Sequence, residues 1–221
     1  MITVFLRIIA LSICSIFLPF VGLGQTYRVS TLSGGIFRDG SAAEAKFYSP
    51  FGTAVDAAGN VYVADSKNNR IRKISPNGLV TTLAGTTLQG YADGIGTNAS
   101  FRFPTGVAVD GAGNVYVADC ENHCIRRINP AGMVTTFAGL GTVEGNNNGT
   151  GSNARFRFPK GIAIDATGNL YVTDFSTMGI RKIDPNGVVT TLAGSGTVGY
   201  ADGLGTAARF RYPIGLSLIH I

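Results

Sequence analysis

Only two histidines, three cysteines and thirteen acidic residues are available for chemistry in this 221-residue chain. A zinc centre or a hydrolytic triad needs several His, Cys or carboxylate side chains converging on one point. His123 stands in the body of the chain and His220 next to its last residue, and no Ser-His-Asp or Cys-His grouping recurs. Asp65, Asp119 and Asp174 could be set as a ring of metal ligands, but a strand-end carboxylate that accepts hydrogen bonds from its own turn is the simpler account. Arg72, Arg126 and Arg181 could form a basic stripe for an anion. A structural ladder, paired with carboxylates or carbonyls between neighbouring units, explains the row better. Asp93-Gly94 and Asp202-Gly203 each offer a single carboxylate, a weak calcium site, and Asn148 stands in the equivalent place of the middle copy. Cys120 and Cys124 flank one turn and are candidates for a local disulfide in an oxidising compartment. With His123 they would form a metal site lacking a fourth ligand. The expectation is therefore no catalytic residue, no metal and no cofactor.

The elements that position these residues repeat. Pro50-Phe51-Gly52 recurs as Pro104-Thr105-Gly106, Pro159-Lys160-Gly161 and Pro213-Ile214-Gly215, at steps of 54, 55 and 54 residues. Asp56, Asp110 and Asp165 follow in register, and so do Asp65, Asp119 and Asp174. Within one copy, Thr53 to Val55 alternates into a turn at Ala57-Ala58-Gly59-Asn60. Val61 to Ala64 makes a second strand, with Val61 and Val63 on one face and Tyr62 on the other. Ile71 to Ile74 makes a third, Pro76-Asn77-Gly78 reverses the chain, and Val80 to Leu83 makes a fourth. Four short antiparallel strands per period predict a β-propeller blade rather than a helical solenoid. The stretch from Gly85 to Ser100 is longer than a turn. Thr97, Ser152 and Thr206 before Ala99, Ala154 and Ala208 predict a capped helical turn that tucks Phe101, Phe156 and Phe210 under the next blade.

Several spaced segments carry a family likeness: Pro-x-Gly-[Val/Ile]-Ala-[Val/Ile]-Asp, Gly-Asn-x-Tyr-Val-[Ala/Thr]-Asp and Ile-Arg-[Lys/Arg]-Ile. Together they resemble the NHL repeat, and Asn122-His123 resembles the element that gives the family part of its name. The likeness covers most of residues 26–216, with Thr177-Met178-Gly179 departing from it in the third copy. It implies an all-β propeller that commonly closes with about six blades. Here three full copies (about 47–100, 101–155 and 156–209) are joined by an outer strand at 26–35 and the start of another copy at 210–221. The expectation is thus an incomplete ring, a propeller fragment over 25–221. Propeller lyases and lactonase-like hydrolases, which the likeness also brings in, depend on a metal in the central channel. Their ligands would have to lie in blades beyond these copies.

Residues 1–24 predict a secretory signal: Arg7 is the one charge before Arg28, Ile8 to Val21 is nearly unbroken apolar sequence, and Gly22-Leu23-Gly24 suits cleavage. Removal of that segment leaves no stable membrane span and takes the formal charge from +5 to +4. Such a mild bias is far from the dense basic patches of a nucleic-acid binder, so no nucleic-acid partner is expected. The expected function is a secreted, periplasmic or cell-surface binding scaffold for an extracellular or envelope protein or glycan, and not an enzyme. The alternative is part of a metal-dependent lyase or hydrolase. The short turns at Asp56 to Asn60 and Pro76 to Gly78 hardly vary between copies. The second-to-third-strand turns and the long connections do vary. Tyr91, Asn122, His123, Asn147 and Tyr200 are accordingly the candidate binding residues.

Overall fold

The structure, a computed structural model, describes residues 37–218. The export segment 1–24, the outer strand expected at 26–35 and His220 lie outside the described residues. Strand order follows the sequence. The first sheet joins β1 (Pro50–Val55), β2 (Val61–Asp65), β3 (Arg70–Ile74) and β4 (Val80–Ala84), each antiparallel to the next. The second joins β6 (Pro104–Val109), β7 (Val115–Asp119), β8 (Cys124–Ile128) and β9 (Met133–Ala138), with β5 (Gly94–Ile95) added outside β9. The third repeats this with β11 (Pro159–Ile164), β12 (Leu170–Asp174), β13 (Gly179–Ile183) and β14 (Val188–Ala193), and with β10 (Gly149–Thr150) outside β14. These are three propeller blades in an arc, and the ring is not closed among the described residues.

Each blade has the four antiparallel strands expected, and in the second and third a two-residue outer strand is added to them. Each connection leaves one blade and runs as a narrow hairpin along the outer edge of the next. Gly90 N–H donates to Phe101 O, Ala92 bridges Ser100, and Gly94 pairs with Val134. The helical turn expected in the connection is present as a 3-10 turn at Gly96–Asn98, Gly151–Asn153 and Gly205–Ala207. It carries no side-chain cap: its N-cap positions are Ile95, Thr150 and Leu204, and the expected Thr97, Ser152 and Thr206 sit inside the turn. Backbone bonds from Gly96 N–H to Gly132 O, and from Gly151 N–H to Gly187 O, anchor it instead.

Period-2 alternation puts two different surfaces on every blade. Tyr62 and Ala64 face the second blade and pack with Phe101, Val107, Val115 and Val117. Val63 faces the other way, against Phe47 and Val80. Between the second and third blades, Tyr116, Ala118 and Ile125 meet Phe156, Leu170 and Val172. Phe101 and Phe156 are fully buried in these seams, as expected, while Phe210 is half-buried. Closest to the axis, the first strands of successive blades touch through the glycine of Pro-x-Gly. A β-carbon on Gly52 would sit 2.5 Å from the Thr105 carbonyl oxygen, and one on Gly161 would sit 2.7 Å from the Ile214 carbonyl oxygen.

Candidate functional site

The repeated aspartates and arginines form a buried frame inside each blade. Arg126 is wholly buried. One of its amino groups donates to Asp119 at 3.0 Å and to Ser100 O at 3.1 Å; the other donates to Asp93 at 2.6 Å and to Ala92 O at 2.9 Å. Arg72 repeats this with Asp65, Lys46 O, Asp39 and Arg38 O. Arg181 repeats it with Asp174, Arg155 O, Asn148 and Asn147 O. The loop acid near Gly94 is therefore an arginine partner rather than a calcium ligand. Asn148 can replace it because only an acceptor oxygen is required. Asp119 also takes the Arg102 N–H at 2.8 Å and the Asn122 amide at 2.8 Å. Burial pushes the Asp119 and Asp174 carboxyls up to about 6, with Arg126 and Arg181 pulling the other way.

On this frame sits the turn between the second and third strands of each blade, a 3-10 turn closed by a left-handed residue. That residue is Asn69, His123 or Met178, with φ of 52, 56 and 53°. In every blade its side chain accepts the backbone N–H of an aromatic residue in the next blade. Asn69 Oδ1 takes Phe103 at 2.9 Å, His123 Nδ1 takes Phe158 at 3.2 Å, and Met178 Sδ takes Tyr212 at 3.4 Å. The third copy departs from the Asn-His pattern yet keeps the acceptor.

This arrangement corrects two of the candidate binding residues. Asn122 is buried, its amide held by Asp119 and by Gly90 O, and His123 is buried edge-on against the Phe158 ring at 4.6 Å. Tyr91 is partly exposed but fastened to the outer edge of the second blade. Its hydroxyl meets Thr136 at 2.7 Å, and its ring lies 4.9 Å from the Arg126 guanidinium. Asn147 and Tyr200 are exposed, Tyr200 at 96%. Cys120 and Cys124 are free, buried thiols with different surroundings: Cys120 lies near Thr105 and Lys160, and Cys124 lies beside Gly139. Burial pushes Cys120 up to about 12 and Cys124 well above its ordinary value. Alkylation followed by peptide mapping should leave both unlabelled in the native chain and label both after denaturation without reductant. Failure to label after denaturation would establish a bridge instead.

Burial also holds the His123 imidazole below its ordinary 6.5, with Glu144 opposing. The folded chain then binds fewer protons at this ring than the unfolded chain does. The stability carried by the neutral ring is complete above 6.5 and is lost as pH falls through the folded value. His123→Asn, which copies Asn69, should match the parent within about 0.5 kcal/mol at pH 7. It should gain on the parent as pH drops towards 5. Parallel urea curves at the two pH values would refute the assignment.

A surface that the repeat pattern left unmarked lies on the face carrying these turns, between the second and third blades. A depression of about 260 Å³ is lined by Phe103, Glu121, Phe158, Lys160, Phe175 and Ser176, with Cys120 also reaching it. Glu121, in its lining, pairs with Arg102 at 2.9 Å, and Arg157 pairs with Glu144 at 3.1 Å. In Phe101-Arg102-Phe103-Pro104 and Phe156-Arg157-Phe158-Pro159, strict alternation would put both aromatics on one side; the left-handed backbone at Phe103 and Phe158 breaks it, so Phe101 and Phe156 enter the seam while Phe103 and Phe158 line the depression. Among the described residues no group of three or more His, Cys, Asp or Glu side chains is placed to hold a metal ion, and no helix is long and apolar enough to cross a membrane.

Blades of antiparallel strands stitched by outer-edge connections define a β-propeller. The NHL repeat profile matches residues 101–128, and that of the teneurin NHL domain matches 35–93 and 141–211. NHL repeat-containing protein 2 of Bos taurus is 32% identical over 155 residues, covering 64% of this chain and 21% of the relative. A Bacteroides thetaiotaomicron protein of unknown function superposes with a TM-score of 0.62 at 27% identity, covering 75% of this chain and 41% of that one. An auxiliary nutrient binding protein from the same organism shares the fold (TM-score 0.59, 22% identity, 74% of this chain and 41% of that one). So does a gluconolactonase from Xanthomonas campestris (TM-score 0.50, 16% identity, 66% and 48%). The chain belongs to the NHL-repeat family. It spans about a fifth of the curated relative and two fifths of the first two solved structures.

Proposed function

We propose that the chain is an exported, non-enzymatic binding propeller that presents its second-to-third-strand turns to a protein or glycan outside the cytoplasm. One observation carries this reading. The same buried Asp–Arg frame supports every turn, while the residues it holds outward differ: Lys67 in one blade, Glu121 in the next, Ser176 in the third. A rigid repeated scaffold with varied outward side chains is the material of recognition rather than of a fixed reaction. A fold neighbour described as nutrient-binding is consistent with it. No side-chain cluster among the described residues supports the alternative, a metal-dependent lyase or hydrolase. Export rests on residues 1–24.

Glycan and extracellular-protein arrays probed with the purified full chain test the reading. A double change on the turn face, Arg102→Ser with Arg157→Ser, should weaken binding at least tenfold. Asn77→Ala with Asn186→Ala, in the short turns of the opposite face, should leave it within twofold. The reverse pattern would place recognition on the wrong face, and a chain retained in the cytoplasm would remove the extracellular partner.

A further inference from the structure

We infer that the depression between the second and third blades binds an acidic saccharide, with the sugar ring against Phe103 and Phe158 and its carboxylate on Lys160; this deepens the binding reading above and rests on it. The third blade differs from the others at two touching positions. Where it carries Lys160, the first two blades carry Phe51 and Thr105, and Thr105 is buried with its hydroxyl on Pro159 O and Lys160 O. Where it carries Phe175, they carry Ser66 and Cys120, both buried. The second blade, with Thr105 and Cys120, therefore folds without a large side chain at either position. The exchange of both at once places an ammonium 3.6 Å from the Phe175 ring centroid, while Phe175 itself stacks on Tyr212 at 5.1 Å.

Lys160 is half-buried and forms no ion pair among the described residues. The acidic residue beside it, Glu121, is engaged by Arg102. A partly dehydrated ammonium that rests only on a ring face is electrostatically incomplete. A carboxylate would complete it through charge-assisted hydrogen bonds.

The walls identify what bears that carboxylate. Phe103 and Phe158 hold φ of 51 and 56°, a left-handed backbone that costs a non-glycine residue on the order of 1–2 kcal/mol. Ser49 occupies the same position of the first blade at φ 54°, so the conformation does not call for an aromatic ring. The rings instead line a shallow depression of about 260 Å³, below the size of sites that enclose drug-like ligands. One pyranose ring suits that space. Its C–H face lies on the aromatic walls, and its hydroxyls stay in water near Ser176.

The test uses the full chain with galacturonic acid and its linear trimer, against galactose and a neutral galactose trimer, by calorimetry at low and at physiological salt. The acid form should bind at least tenfold more tightly than its neutral counterpart, with the margin narrowing at higher salt. A preference seen with the monomer places one ring in the depression; one seen with the trimer alone extends the site along the rim. Lys160→Thr, which copies the second blade, should abolish the preference while leaving the unfolding curve in place. Equal binding of acid and neutral sugars, an unaltered preference in Lys160→Thr, or no binding of either acid overturns the inference. If the acids fail while the Arg102/Arg157 variant still loses an array ligand, the inference falls and the binding reading stands. If that loss is absent too, both fall.

Discussion

Arg126→Met should lower the unfolding free energy by about 3–5 kcal/mol, the range for removing one partner of a buried ion pair. The methionine fills much of the space, but Asp119 remains fully buried with its charge opposed only by the Asn122 amide and the Arg102 N–H. Asp93 and two carbonyls of the incoming connection, from Ala92 and Ser100, lose their donor at the same time. Arg102→Ser removes an exposed pair with Glu121 and should change stability by no more than about 1 kcal/mol. Urea denaturation of the two variants at pH 7 measures both. A loss below 1 kcal/mol for Arg126→Met would mean that the frame does not hold the blade together.

A comparable loss, about 3 kcal/mol, is expected from a single methyl group at Gly106. The new β-carbon would overlap the Lys160 carbonyl oxygen and lie 3.0 Å from Ile162 Cγ2 and 3.1 Å from Ile162 N. Backbone cannot swing aside as a side chain can, so the second and third blades would have to part, opening the seam around Phe156. Gly111→Ala supplies the contrast. Nothing lies within 4 Å of a β-carbon there, and its φ is not positive. It should be neutral or stabilising by up to about 1 kcal/mol, because alanine restricts the unfolded chain. Equal effects at the two positions would show that the close approach of the first strands does not limit packing.

Much of this architecture was legible because hydrophobic alternation and turn chemistry act locally. Ile71 to Ile74 and Val80 to Leu83 fall within the observed third and fourth strands, and Gly78 at φ 83° ends the turn assigned to Pro76-Asn77-Gly78. The outer strand β5 was not legible. It is two residues long, starts with glycine, and is defined wholly by backbone bonds to Val134 and Met133 of β9, far along the chain. Asn122 and His123 look like exposed turn residues from composition alone. Their burial depends on Gly90 and Phe158, which lie 32 and 35 residues away. The depression at Lys160 was hidden for a related reason. Repetition draws attention to what recurs, and this site arises from what the third blade does differently.

The hairpin that runs along each outer edge changes where one structural module ends and the next begins. Arg126 is neutralised at Asp93 by chain that precedes its own first strand, and β9 is covered by β5 from that same stretch. A module that carries its own counterions therefore begins near Gly85 and ends near Ala138, rather than beginning at Pro104. In shuffling or consensus design, segments joined after Ala84, Ala138 or Ala193 would each travel with the acceptors for their own guanidinium. Segments joined just before Pro104 or Pro159 would leave Arg126 with Asp119, or Arg181 with Asp174, but without the acceptors of the preceding connection, and would strand an outer edge.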